Sequence, residues 1–123
     1  MPAPTRQSAA SQIDRRRRRH TRYRADFPVT VSHLGNHYQK IDGHCRDLSE
    51  AGIGILLATE MNTGEVVGLT FSLPESIEIW EVRAVVRYRR GYQYGFEFLS
   101  LASTQLATLK TYLKSLLQLA PSP

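Results

Sequence analysis

Two short stretches hold the residue types best able to do chemistry. The first is Arg15-Arg16-Arg17-Arg18-Arg19-His20-Thr21-Arg22-Tyr23-Arg24, in which seven of ten residues are arginine. The planar guanidinium fork donates paired hydrogen bonds to phosphate and stacks flat on a purine, which an ammonium group cannot do. Such a run is suited to catching an anion; the competing reading is a solvated tail that keeps the protein soluble. The second stretch is Asp47-Leu48-Ser49-Glu50-Ala51-Gly52. Asp47 and Ser49 are two apart, so in extended chain their side chains point the same way. Gly52 is expected to supply the positive φ of a tight reversal. Taken alone these are ordinary turn residues. Paired with the arginines they suit a guanine nucleotide. A carboxylate accepts from the N1–H and N2–H2 donors of the guanine Watson–Crick edge, and arginine donates to O6, N7 and phosphate. Arg18 and Arg22, four apart, can flank one dianionic ligand.

The remaining reactive side chains make weaker constellations. His33 and His37 are four apart, with His44 and Cys45 nearby, but the spacing matches no strong zinc pattern and no metal is expected. Ser49 lacks the glycine two residues back that a nucleophile elbow needs. No catalytic residue is therefore expected, and no cofactor.

At 123 residues the chain fits one domain, large enough to bury a core unaided. The net charge of +5 is unevenly spread. Residues 1–24 hold eight arginines against one acid, a net +7, while residues 25–123 hold eight Lys and Arg against ten acids, a net −2. The positive charge is thus local, which argues for an anion site and against a basic coat. Residues 1–14, rich in Pro, Ala, Ser and Gln, are expected to be a disordered tail. Residues 15–119 read as the single domain and 120–123 as a short tail. One cysteine, Cys45, excludes an internal disulfide and fits a reducing, cytoplasmic setting. No apolar run of about 18 residues spans a membrane, and no secretory h-region opens the chain.

Behind the two stretches, period-two alternation marks several short strands. Phe27, Val29 and Val31 share one face, with Pro28 indicating an edge. Gly35-Asn36 signals a turn into a second strand over Tyr38–Asp47, in which Asp42-Gly43 suggests a bulge. Ile53, Ile55 and Leu57 form a third strand. Asn62-Thr63-Gly64 is a turn, and Val67, Leu69, Phe71 and Leu73 form a fourth strand. A fifth places Trp80, Val82, Ala84, Val86 and Tyr88 on one face. Arg89-Arg90-Gly91 turns into a sixth with Tyr94, Phe96 and Phe98. Strands at this spacing indicate an all-β antiparallel sandwich or barrel. From Ser103 to Leu119 the period changes: Leu106, Leu109, Leu113, Leu116 and Leu117 mark one face of a C-terminal helix, with Ser103 as cap. That face is expected to close the barrel; the other reading is a partner-binding helix.

The chain resembles a PilZ domain, the bacterial receptor module for cyclic di-GMP. That family has RxxxR, often extended to RRxxxR, just before the first strand. Here Arg17-Arg18-Arg19-His20-Thr21-Arg22 matches it. The second motif, [D/N]xSxxG, matches Asp47, Ser49 and Gly52. Leu73-Pro74, Val85-Val86-Arg87 and Gly95-Phe96-Glu97-Phe98 fit the later pattern, so the likeness covers about residues 15–118. It implies a six-stranded antiparallel β-barrel with a C-terminal α-helix and a flexible Arg-rich N-terminal arm that folds over the ligand. Arg17, Arg18 and Arg22 would contact phosphate and guanine, with Asp47 and Ser49 on the guanine side and Gly52 shaping the turn. The ligand is one molecule or an intercalated pair; Arg17 favours the pair by stacking on a second guanine. The alternative register Arg15–Arg19 leaves Arg22 outside the motif. The implied role is a receptor or adaptor that changes arm conformation and signals to a separate protein in motility, secretion, polysaccharide or biofilm control. The rival is a small β-barrel RNA- or DNA-binding protein using its basic arm, with Tyr88, Tyr92 and Tyr94 stacking bases.

Overall fold

The computed structural model describes residues 20–116 and 121–122. The strands are β1 (Arg22–His33), β2 (Asn36–Leu48), β3 (Gly52–Leu56), β4 (Val66–Phe71), β5 (Trp80–Arg90) and β6 (Gln93–Ser100), followed by helix α1 (Ser103–Leu116) and a two-residue β7 (Pro121–Ser122). All pairings are antiparallel, in the order β2-β3-β6-β5-β4-β1, and β1 pairs back to β2. That last pairing closes a six-stranded barrel and leaves no long edge to recruit a foreign strand. β7 adds to the start of β1, with Arg22 opposite Ser122 and Tyr23 opposite Pro121. No helix among the described residues is long and apolar enough to cross a membrane.

The alternating apolar residues fill the interior as the strand period requires. Phe27, Val29 and Val31 of β1, Ile53 and Ile55 of β3 with Leu57 just beyond, Val67, Leu69 and Phe71 of β4, and Tyr94 and Phe96 of β6 are all buried. Pro28 is tolerated because β1 pairs with β4 only from Thr30 to His33. At Pro28 the neighbour among the described residues is β2 alone, so the missing donor is not needed on the other side. The β1–β2 turn falls at Leu34-Gly35, one residue earlier than the sequence suggests.

The bulge expected at Asp42-Gly43 is not there. Asp42 and Gly43 pair regularly with Thr30 and Val29. Gly43 is needed for packing, since a Cβ there would lie 2.6 Å from Leu57 Cδ2 and 2.7 Å from Ile55 Cγ2. The register of β2 against β3 shifts instead at Arg46, between Cys45↔Ile55 and Asp47↔Gly54. A second shift lies at Arg87 of β5, between Val86↔Phe96 and Tyr88↔Gly95. An extra residue in one strand reverses the facing of the residues beyond it. Tyr88, expected on the core face with Val86, is thereby turned to the outer face.

Helix α1 lies over the barrel, with Leu109 and Leu113 buried and Tyr112 and Leu116 packed against the core. This is the closing role expected of the leucine stripe; Leu117 lies outside the described residues. Ser103 is not the cap. Ala102 occupies that place, its carbonyl accepting from Leu106 N–H at 2.9 Å. Gln105 Oε1 accepts from Ala102 N–H at 2.9 Å, half of a capping box. Between β4 and β5, Leu73-Pro74-Glu75-Ser76 is a tight turn in which Ser76 N–H donates to Leu73 O at 3.1 Å. Its third residue, Glu75, has φ of +67°, a conformation that favours glycine.

Candidate functional site

The site lies on the outer face of the barrel, across the β2-β3-β6-β5 ladder. Ile53 and Ile55 point inward, so Gly54 between them faces out; Tyr94 and Phe96 likewise leave Gly95 facing out. Gly54 and Gly95 are direct partners across β3 and β6. Together they make a patch of bare backbone. The two bulges turn a side chain onto each half of it. Asp47 lies over Gly54, where a Cβ would meet its Oδ2 at 2.7 Å. The ring of Tyr88 lies over Gly95, where a Cβ would meet Tyr88 Cε2 at 2.0 Å.

Arg22, at the start of β1, joins the two. Asp47 Oδ1 accepts from Arg22 Nη2 at 3.0 Å and from Nε at 3.3 Å. Arg22 Nη2 also donates to the Tyr88 hydroxyl at 2.8 Å. The side chains are 21% exposed for Arg22 and 13% for Asp47, enough shielding to strengthen the pair beyond a surface salt bridge. Burial pulls against the charged guanidinium. The hydrogen bond and negative charge of Asp47, with Tyr88 adding to both, outweigh it and raise the Arg22 pKa above its usual value. Among the described residues, Asp47 Oδ2 receives no hydrogen bond, so one carboxylate oxygen can still accept.

Ser49 and Gly52 build the corner that aims Asp47. Ser49 Oγ accepts from Ala51 N–H at 3.1 Å and Gly52 N–H at 3.2 Å. Ser49 N–H donates to Gly52 O at 2.9 Å. The Ser49 hydroxyl is thus engaged in the turn, and the residue is only 8% exposed. Gly52 is required for a reason other than the one expected. The positive-φ glycines are Gly64 and Gly91. At Gly52 a Cβ would sit 2.2 Å from the Phe96 carbonyl oxygen of β6, so close strand approach demands glycine there.

Of the six residues singled out from the sequence, Arg22 and Asp47 are in direct contact, with Ser49 and Gly52 shaping the adjoining turn. Arg17 and Arg18 lie outside the described residues. Tyr88, Gly54 and Gly95 were missed. A glycine inside a strand between two large inward residues is a mark of close approach, and both glycines carry it. Glu50, a turn residue by type, also reaches beyond the corner. Its carboxylate stands 4.0 Å from His20 Nδ1 and 3.9 Å from Lys110 Nζ of α1, linking the end of the arm, the corner and the helix.

The other constellations resolve into structure. His33 pairs with Glu65 at 2.6 Å, and His44 with Asp26. The side chain of His37 lies outside the described residues. Cys45 is wholly buried, donating to the Asp47 carbonyl at 3.3 Å, and burial pushes its thiol pKa far up. No cluster of three metal-ligating side chains occurs among the described residues. The three tyrosines do not form a stacking row. Tyr94 is buried with its hydroxyl bonded to Met61 N–H and Thr59 O, Tyr92 is exposed, and Tyr88 is in the site.

No curated protein matches the chain significantly. Among solved structures, the PilZ domain of YcgR from Escherichia coli, solved with c-di-GMP, is 21% identical, with a TM-score of 0.65 over 85% of this chain and 94% of that one. The Bacillus subtilis inhibitor of motility, MotI/DgrA, is 21% identical with a TM-score of 0.62, covering 76% of this chain. The chain spans about half of that protein, 47% of its length. The PilZ domain of CeSA from a cellulose-synthesizing bacterium is 18% identical, with a TM-score of 0.60 over 77% of this chain and 96% of that one. At these identities the likeness is one of fold. The family model described as PilZ domain matches residues 16–115, which takes in the barrel, the Asp47–Gly52 corner and nearly all of α1. The chain therefore belongs to the PilZ domain family.

Proposed function

We propose that the protein is a receptor for cyclic di-GMP that passes the signal to a separate protein. The observation that carries this reading is the Arg22–Asp47 pair on bare backbone. A guanidinium that can serve phosphate stands 3.0 Å from a carboxylate whose second oxygen takes no hydrogen bond from the described residues and would accept from a guanine N–H edge. In this reading Arg17 and Arg18 add phosphate and guanine contacts, and Arg17 stacks on a second guanine if the ligand binds as a pair. Ser49 and Gly52 hold the corner that presents Asp47. The ligand neutralises part of the +7 arm and pins residues 15–19 to the barrel, which changes the surface a partner meets. The role needs no cofactor, metal or catalytic step, and belongs in the cytoplasm. The E. coli YcgR domain, whose structure holds c-di-GMP, supports it by fold.

Binding to long RNA or DNA is disfavoured by the net −2 of residues 25–123 and by the scattered tyrosines. Calorimetry separates the two. Cyclic di-GMP should bind the parent with a shallow salt dependence, because only two phosphates are neutralised. Asp47→Ala should lose about 1.5–3 kcal/mol of binding, the usual worth of a hydrogen bond to a charged group. Unaltered affinity in that variant, or parent protein that ignores the dinucleotide and grips polynucleotides with a steep salt slope, would overturn the assignment.

A further inference from the structure

Tyr88 stands where strand alternation does not put it. The shift at Arg87 turns it outward, and the absence of a side chain at Gly95 lets its ring lie flat on the ladder. From there its hydroxyl accepts from Arg22 Nη2 at 2.8 Å, and the ring centroid is 5.9 Å from Arg22 Cζ. Arg22 is thus held from two sides by groups of different character. Asp47 holds it with a charge, which competes with a phosphate for the guanidinium. Tyr88 holds it with a neutral hydroxyl, which orients the guanidinium and leaves its charge intact for the ligand.

We infer that Tyr88 is a positioning residue of the binding site, keeping the Arg22 guanidinium aimed while the other oxygen of Asp47 accepts from the incoming base. This rests on the cyclic di-GMP reading for its ligand but not for its geometry. A guanidinium tethered by Asp47 Oδ1 alone could swing about that single anchor, and would pay side-chain entropy to meet the phosphate. The glycine at 95 belongs to the same device, since any Cβ there would lift the ring and withdraw the hydroxyl.

The test uses the full chain, with Tyr88→Phe removing one oxygen and Gly95→Ala keeping the oxygen but displacing the ring. Two quantities are read: affinity for cyclic di-GMP, and the rate at which the Arg22 guanidinium rotates about Nε–Cζ in the ligand-free protein, by nitrogen NMR. Both variants should bind about tenfold more weakly, with faster Arg22 rotation and the backbone amide spectrum of the barrel preserved in Tyr88→Phe. Parent affinity in Tyr88→Phe overturns the inference. Weakened binding with unchanged Arg22 rotation also overturns it, because a packing role alone would produce that. If the parent itself does not bind cyclic di-GMP, the functional reading fails separately. Faster rotation in Tyr88→Phe would then still support the positioning role, and unchanged rotation would end it.

Discussion

On the inner face of the barrel, the β3–β6 ladder presents Ile53, Ile55, Tyr94 and Phe96; on the outer face the same residues' neighbours are Gly54 and Gly95. The inner face works by filling volume and the outer by leaving it empty. Inside, methyl and aromatic groups are packed against β5 and helix α1, where any lost atom leaves a void. Outside, two missing side chains let a carboxylate and a phenol lie against the backbone and converge on one arginine. A change that disturbs one face should therefore leave the other's property largely intact.

Phe96→Ala gives the largest expected effect on stability. Removing a ring that is 3% exposed should cost about 3–5 kcal/mol of unfolding free energy in a denaturant titration. Material that remains folded should keep its ligand affinity. Gly54→Ala should do the reverse. Its new Cβ meets the carboxylate of Asp47, so that group is displaced and binding weakens by about 1.5–3 kcal/mol. Unfolding free energy should move by less than about 1 kcal/mol, helped by the lower backbone entropy of alanine. If Gly54→Ala lowers the unfolding free energy by several kcal/mol while the folded protein binds normally, the division of labour between the faces is wrong. The smallest effect belongs to a third region, remote from both. Glu75→Gly relieves the +67° φ of the β4–β5 turn and should raise stability by about 0.5–1 kcal/mol without touching affinity.

The strand order of residue types was legible because each strand's large apolar residues fall two apart, and the interior of a small barrel leaves few other ways to bury them. Phe27, Val29, Val31, Ile53, Ile55, Phe96 and Phe98 all sit where alternation put them. The Arg22–Asp47 pairing was legible as a motif. What alternation could not reveal were the two register shifts that build the site, out of five in the sheet among the described residues. Arg46 and Arg87 have no composition that marks them, since a bulge is a miscount between two strands and is written in neither one alone. That is why Tyr88 was placed with Val86 in the core. The helix cap was misread for a related reason: Ser103 and Gln105 both fit capping chemistry, and only the course of the chain from β6 decides that Ala102 takes the position.

The lone thiol of Cys45 has a practical consequence. It points into the barrel on β2, two residues before the carboxylate of the site, with no solvent exposure and its acidity suppressed by burial. An alkylating reagent reaches such a sulfur only when the surrounding strands separate. Its rate of labelling, set against that of the denatured chain, reads the free energy of opening at that ladder without any added probe. Followed with and without nucleotide, the chain's own sulfur becomes a timer for how firmly a ligand on the outside locks the wall behind it.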